Sequence, residues 1–374
     1  MILRILKKQV LDNLEKGKVI GLFGARRTGK TVLMNEIHRE LDKSMVLFVN
    51  GEDLDVSEIL SSRRVSVLNN FIGDYKYLFV DEAQKITDIG TNLKLIVDSF
   101  PEVSVLVSGS SAFELRNKIG EPLTGRSRFF YLYPISQLEM NEDYVTAKKN
   151  LENRLVFGSY PQVITEKNNL KKISVLTSVK NGYLLKDILE LDNLKDSKFI
   201  LNLLRLIAFR IGQDVSYSEL ALNLKVSFKT VMRYLEILEK AYILFSLPGY
   251  SRNLRKEYSR TPRFYFWDNG IRNAVISNFN SLNIRDDVGR LWENFCISER
   301  LKKNHYLNRY VNSYFWRTYD KKEIDYIEED NGILNGYEFK WRQNKIKAPK
   351  AFLESYSGSS VCLVNNDDYL SFIS

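Results

Sequence analysis

The chain has 374 residues, 44% of them hydrophobic, with 55 Lys and Arg against 46 Asp and Glu for a formal net charge of +9. That length exceeds what one hydrophobic core usually fills and predicts two or three domains. Two cysteines, Cys296 and Cys362, and two histidines, His38 and His305, argue against a disulfide framework and against a zinc centre, leaving a hard cation such as magnesium, held by carboxylates and phosphate.

The first segment, MILRILKKQVLDNLEKGK, reads as an amphipathic charged helix without a cleavage site, and no apolar run is long enough to cross a bilayer. The expected compartment is therefore the cytoplasm, with no membrane partner. From there to about Gln162, short apolar runs alternate with helical patterns, which predicts an α/β region with a parallel sheet. The expected strands are VIGLFG (19–24), MVLFVN (45–50), YLFVDE (77–82), VSVLVSGS (103–110) and RFFYLYP (128–134).

The first strand runs into GARRTGKT (24–31), which matches G-x-x-x-x-G-K-[ST] and leads into the helical stretch TVLMNEIHREL. This pattern predicts an ATP site made of Gly24, Ala25, Arg26, Arg27, Thr28, Gly29, Lys30 and Thr31. Backbone N–H groups would wrap the phosphates, Lys30 would reach the β- and γ-phosphates, and Thr31 would ligate magnesium. YLFVDEAQ supplies Asp81 to the outer shell of the metal and Glu82 to polarise the attacking water. Ser108, where the next strand ends, is expected to contact the γ-phosphate or that water; its plain alternative is a strand-ending turn. Arg126 in Gly125-Arg126-Ser127-Arg128 is a candidate to neutralise the transferred phosphoryl, from its own subunit or from a neighbour in an oligomer. Its alternative is a surface arginine paired with an acid.

Residues 163–250 read as mainly helical. VSYSELALNLKVSFKTVMRYLEILEKAYILFSL (215–247) predicts two helices joined by a turn at Lys225 to Ser227, then the start of a wing. Val231, Tyr234, Leu235 and Leu238 form the stripe expected to be buried. Lys229 and Arg233 with Glu236 would face outward, and Arg252, Arg255, Lys256, Arg260 and Arg263 crowd the wing. Such a surface suits sequence-tolerant binding of DNA phosphates. The acidic Glu236 and Glu239 speak for the alternative, a surface for a protein partner.

Beyond residue 251, the stretches RFYFW (263–267), NSYFWRTY (312–319), EIDYIEED (323–330) and GYEFKW (336–341) predict a second sheet. Strand periodicity puts Glu338 and Lys340 on one face, with Phe339 on the other. A hairpin would bring Asp325 alongside, and the amphipathic run VGRLWENFCISERLKK would bring Glu293. Three gathered carboxylates require a cation, with oxygen ligands selecting magnesium or manganese, while Lys340 would stabilise a pentavalent phosphate.

The set GARRTGKT, FVDEAQKI, VSGSS, LTGR and GSYPQV resembles the AAA+ ATPases of bacteria and archaea that carry a C-terminal domain of unknown function. The resemblance continues through LLKDIL (184–189), FYFWDNGIRNAVI (264–276), LWENF (291–295), WRT (316–318) and EIDYI (323–327), nearly the whole chain. It implies a sheet with an extra strand between the phosphate-loop strand and the magnesium strand, with which MVLFVN, lying between them in the chain, agrees. Ala25 stands where proline is common in the family, and Asn269 where threonine is usual. The order Glu293, Asp325, Glu338-x-Lys340 resembles the PD-(D/E)XK nuclease fold.

The expected organisation is a P-loop AAA+-like ATPase domain (1–162), a helical and winged helix-turn-helix region (163–250) and a nuclease-like α/β domain (251–374). Two functions compete: an ATP-driven, magnesium-dependent enzyme acting on DNA, in mobile-element or defence biology, and a nucleotide-switched regulatory protein whose nuclease-like domain is inactive.

Overall fold

A computed structural model describes residues 2–109, 123–182, 197–251, 261–318, 322–343 and 345–374. The chain divides into two compact units, 1–133 and 134–374. Among the described residues no helix is long and apolar enough to cross a membrane.

The first unit is built on β1 (Val19–Phe23), β2 (Val46–Asn50), β3 (Tyr77–Asp81), β4 (Ser104–Gly109) and β5 (Ser127–Tyr131), all parallel where they pair. Each overlaps an expected strand, and the largest difference is at β5, which ends three residues before the expected Pro134. Every residue of β1 and of β4 is buried, as continuous apolar runs covered on both faces require. Helix α1 (Ile5–Asp12) precedes β1, and α2 (Lys30–His38), α3 (Leu54–Leu60), α4 (Val65–Ile72) and α5 (Ile89–Ser99) follow along the chain. In α5 the buried residues Ile89, Leu93, Ile96 and Val97 recur at helical spacing. Each such side chain, fully buried, contributes roughly 1.5–3 kcal/mol.

The strand order is β2-β3-β4-β1-β5. A strand does stand between β1 and β3, but it is β4 and not the expected MVLFVN, which forms the edge as β2. Position along the chain does not fix position in a parallel sheet, because each crossover can skip a neighbour. The outcome is that β1, β3 and β4 lie side by side, and their carboxyl ends carry Gly24, Asp81 and Gly109.

The second unit begins earlier than either expected boundary. Helix Tyr144–Phe157 is tied to Asn269–Ile276, since Asn273 Nδ2 donates to the Leu155 and Val156 carbonyls at 3.1 and 2.8 Å. The Ser159 N–H donates to Asp268 Oδ2 at 2.6 Å. Residues 134–162 therefore pack with distant sequence, which local periodicity does not reveal. Residues either side of 250 also share this one unit: β6 (Leu244–Leu247) pairs antiparallel with β7 (Arg263–Phe266).

The two expected helices are Tyr217–Leu224 and Phe228–Lys240. Ser216 and Ser227 cap their starts, accepting from Glu219 N at 3.3 Å and Thr230 N at 3.1 Å, and Lys225 ends the first in a left-handed conformation. The C-terminal sheet has the order β11-β10-β9-β8, from β8 (Asn312–Arg317), β9 (Glu323–Asp330), β10 (Ile333–Phe339) and β11 (Ser360–Val364). Asn331 and Gly332, both at positive φ, close the β9–β10 hairpin as a two-residue turn. The 19-residue helix Val288–Tyr306 is held to the sheet by Arg300, whose Nε and Nη2 donate to the two Glu328 carboxylate oxygens at 2.8 and 2.6 Å.

Candidate functional site

The phosphate loop leaves β1 at Gly24, whose φ is +149°; a Cβ there would lie 2.1 Å from the Leu132 carbonyl oxygen, so only glycine fits. Thr28 Oγ1 donates to the Ala25 carbonyl at 2.8 Å, Gly29 turns at φ +99°, and Lys30 opens α2. Ala25 and Thr28 are buried, while Arg26 and Arg27 stand exposed at the rim. Lys30 is 5% exposed, and its ammonium donates to the carbonyls of Gly24 and Ala25 at 2.9 and 3.0 Å. The loop thus holds a buried positive charge beside the N-terminus of a helix, an arrangement suited to an anion.

Thr31 Oγ1 donates to Asp81 Oδ2 at 2.6 Å, bringing the two expected magnesium-binding groups together across 50 residues. Their hard oxygen donors fit Mg²⁺. Ser108 donates to the other Asp81 oxygen and accepts from the Glu82 N–H at 3.2 Å. The strand-end serine thereby organises the Asp81–Glu82 corner. Glu82 sits in the left-handed region at φ +52°, a conformation that costs a non-glycine residue about 1–3 kcal/mol and that clusters at functional sites. Gly51 permits it, since a Cβ there would come within 2.7 Å of the Glu82 carbonyl oxygen.

Three participants escape sequence reading. Gln84 Nε2 donates to Glu82 Oε2 at 2.5 Å and orients the carboxylate. Gly51 is the second. The third, Arg4, is 9% exposed, and its guanidinium donates to the Thr28 carbonyl at 2.8 Å and the Tyr133 carbonyl at 2.6 Å. It braces the loop against the chain just beyond β5, with partners 24 and 129 residues away that no local motif could indicate.

Arg126 does not join this cluster. The Val19 N–H donates to its carbonyl at 2.9 Å, so it lies at the opposite end of β1 from Gly24, about 16 Å away at roughly 3.3 Å per strand residue. It is half-exposed and ion-paired with Asp98, which is the alternative the sequence offered. Strand pairing fixed this placement, which the short run GRSR could not show.

In the second unit, Val231, Leu235 and Leu238 are buried and Tyr234 half-buried, while Lys229, Arg233 and Glu236 face outward. Glu239 does not: it turns toward Ser246 of β6, and burial raises its pKa. Arg263 is no part of a basic wing surface. It is 3% exposed and donates to Asp214 at 3.2 Å and Glu323 at 2.7 Å. Arg252, Arg255, Lys256 and Arg260 lie outside the described residues, as do LLKDIL and Ser110 to Ser111.

At the carboxyl end of β10, an inner strand of the C-terminal sheet, Lys340 Nζ lies 3.1 Å from Glu338 Oε2 and 3.7 Å from Asp325 Oδ2, and the Phe339 N–H donates to Asp325 at 3.0 Å. Phe339 points to the other face, toward Phe372, as alternation requires. Burial draws the Lys340 pKa down, but Asp325 and Glu338 outweigh it and hold the ammonium above its ordinary value. Burial, then repulsion from Asp325, pushes Glu338 up to about 7 against the pull of Lys340. Burial likewise keeps Asp325 above the usual carboxylate range, opposed by Lys340.

Glu293 is engaged with a different partner. It accepts from Tyr265 OH at 2.7 Å and is packed so closely on Gly212 that a Cβ there would meet its carboxylate at 2.5 Å. Among the described residues no group of three His, Cys, Asp or Glu side chains is arranged to hold a metal ion. The expected magnesium or manganese site at Glu293, Asp325 and Glu338 does not fit this arrangement, because the Lys340 ammonium already occupies the space between Glu338 and Asp325 and the Glu293 carboxylate accepts from Tyr265.

Burial, then repulsion from Asp325, pushes the Glu293 carboxyl up to about 8, against Arg263 and Tyr265. A raised folded-state pKa means the folded chain keeps a proton that the unfolded chain releases, so its contribution is complete below about 4.5 and is lost as pH climbs to about 8. The expected slope is about 1.4 kcal/mol per pH unit in that window. Glu293→Gln retains an acceptor for Tyr265 and should raise the melting temperature at pH 8 while changing it little at pH 5. Equal shifts at both pH values would contradict the assigned protonation.

Comparison with known proteins adds the following. Residues 16–141 match the family model described as an AAA domain, and residues 148–282 and 288–372 match two models, each described as a domain of unknown function. The chain is 26% identical over 330 residues to an uncharacterized protein of Mycobacterium tuberculosis, covering 87% of this chain and 71% of that one. It is 24% identical over 367 residues to an uncharacterized protein of Methanocaldococcus jannaschii, covering 86% and 78%. Among solved structures, a Signal Transduction ATPase with Numerous Domains protein of Pyrococcus horikoshii aligns at a TM-score of 0.31 with 10% identity, over 82% of this chain and 48% of that one, too little to carry an argument. The AAA-domain match thus falls on the first unit but for its last eight residues.

Proposed function

We propose that the chain hydrolyses Mg·ATP at residues 24–31, Asp81 and Glu82 and uses the nucleotide state to control association of the second unit with DNA. The observation that carries the ATPase reading is the Thr31–Asp81 bond of 2.6 Å beside the buried Lys30 ammonium. In this reading Lys30 exchanges the loop carbonyls for the β- and γ-phosphates, and the N–H groups of the loop and of α2 hold the remaining phosphate oxygens. Thr31 and Asp81 would hold magnesium, which would supply neutralisation of the phosphate charge. Glu82, oriented by Gln84 and anchored through Ser108, takes a proton from the attacking water as its oxygen bonds to the γ-phosphorus, while the bond from that phosphorus to the β,γ-bridging oxygen breaks and ADP leaves with the electron pair. A role for Arg126 at that phosphate requires a second copy of the chain.

The two helices 217–224 and 228–240 followed by the β6–β7 hairpin support a winged-helix reading, with Lys229 and Arg233 on the outward face. Phosphodiester cleavage at Asp325, Glu338 and Lys340 is favoured only by their convergence; without a metal arrangement, binding is the better reading of that strand end. Phosphate release, measured with and without duplex DNA at low and high salt, tests the coupling. DNA should change the turnover rate several-fold at low salt, and added salt should remove the change, as phosphate contacts demand. A rate indifferent to DNA at low salt would leave the ATPase without this partner.

A further inference from the structure

A cleft of about 720 Å³ opens beside Glu338 and Lys340 at the carboxyl end of β10. Among the described residues five lysines line it, Lys322, Lys340, Lys345, Lys347 and Lys350, against two carboxylates, Glu323 and Glu338. Both carboxylates are already engaged, Glu323 with Arg263 at 2.7 Å and Glu338 with Lys340 at 3.1 Å. Five cations facing two paired anions leave three positive charges in excess inside a concave wall, where charge attracts a polyanion most strongly. The volume falls within the range of roughly 300–1,000 Å³ typical of ligand sites.

The chemistry of the lining narrows the ligand. Lysine is a compact point charge that meets phosphate oxygens without the planar fork by which arginine reads carboxylates or guanine edges. Among the described residues no aromatic side chain lines the cleft, whose apolar part is Ile346, Ala348 and Pro349, and none of them offers a platform for stacking a base. A ligand held here is recognised by its chain of phosphates. Lys340, seated between Asp325 and Glu338, supplies the cation that these carboxylates would otherwise need from solution.

We propose that this lysine-lined cleft binds the phosphate backbone of a nucleic-acid strand, independently of sequence and of divalent metal. The inference rests on the nucleic-acid reading of the second unit and deepens it by assigning Lys322, Lys345, Lys347 and Lys350 as contacts.

Fluorescence anisotropy of a labelled single-stranded oligonucleotide in EDTA tests it, using the full chain and two double variants, Lys345→Glu with Lys347→Glu and Lys229→Glu with Arg233→Glu. All four positions are exposed, so folding should be unaffected, which circular dichroism would verify. The parent should bind in EDTA, and the Lys345/Lys347 variant should lose at least about tenfold in affinity. Its log–log salt slope should also become shallower by about 0.7 for each contact removed. Full affinity in that variant, with a loss only in the Lys229/Arg233 variant, would overturn the cleft while leaving the nucleic-acid reading intact. Binding that needs magnesium, or that depends strongly on base sequence, would also overturn it. No binding by the parent at low salt, with or without magnesium, would overturn both. Competition by inorganic polyphosphate at matched charge supports the phosphate-chain chemistry, and its failure would contradict it.

Discussion

Replacing Glu82 with Gln is expected to slow ATP turnover by roughly 10²–10⁴-fold, the range assigned to a positioned acid–base group, while nucleotide affinity stays near that of the parent. The amide keeps the size of the side chain but cannot take a proton from water. What surrounds Glu82 makes the change clean. Its backbone N–H is anchored by Ser108 and by Asp81 Oδ1 at 3.1 Å, and its left-handed backbone is accommodated by Gly51, so the corner should survive the substitution. Gln84 can still bond the variant side chain. Phosphate release together with titration of a fluorescent ADP separates the two effects. Turnover equal to the parent would remove Glu82 as the base, and lost affinity would show that the side chain serves binding instead.

Lys30→Ala should act on the other side of that division and abolish productive binding. The Lys30 ammonium is buried against two backbone carbonyls, so it is already desolvated and placed where phosphate charge would arrive. Truncating one partner of a buried charge pair costs about 2–5 kcal/mol, which is roughly 30-fold to several thousand-fold in affinity. Calorimetric titration with Mg·ATP should show no measurable heat at concentrations that saturate the parent. The variant should still fold, because Thr28 and Arg4 also hold the loop from within. An unchanged binding isotherm would refute the role given to Lys30.

How much of this was legible in the sequence depended on whether each signal was local. The apolar runs gave all five strands of the first sheet, and Gly-x-x-x-x-Gly-Lys-Thr marked the turn where β1 ends, because glycine is required where Gly24 presses on Leu132. Helical periodicity on either side of the turn at Lys225 to Ser227 marked both helices of the helix-turn-helix. Alternation placed Glu338 and Lys340 together, and Asn331-Gly332 closed their hairpin.

What depended on long-range pairing was not legible. Strand order put β4, not β2, beside β1, and the same pairing carried Arg126 to the far end of the sheet. Arg4 reaches partners that share no motif with it. β11, SVCLV, was missed because a short edge strand after Gly358 has little periodicity to show. At the carboxyl end of β10, residue types alone suggested three carboxylates around a metal. The structure instead puts the Lys340 ammonium between two of them and buries the third against Tyr265, a distinction of side-chain direction that spacing does not encode.

The most direct measurement is a crystal structure of Glu82→Gln grown with ATP and magnesium. Intact triphosphate should lie in the loop 24–29, with Lys30 moved from the Gly24 and Ala25 carbonyls onto the β- and γ-phosphates and magnesium at Thr31 next to Asp81. An empty loop at saturating nucleotide, with Lys30 still bonded to those carbonyls, would contradict the assignment of this unit as the ATP-hydrolysing engine of the chain.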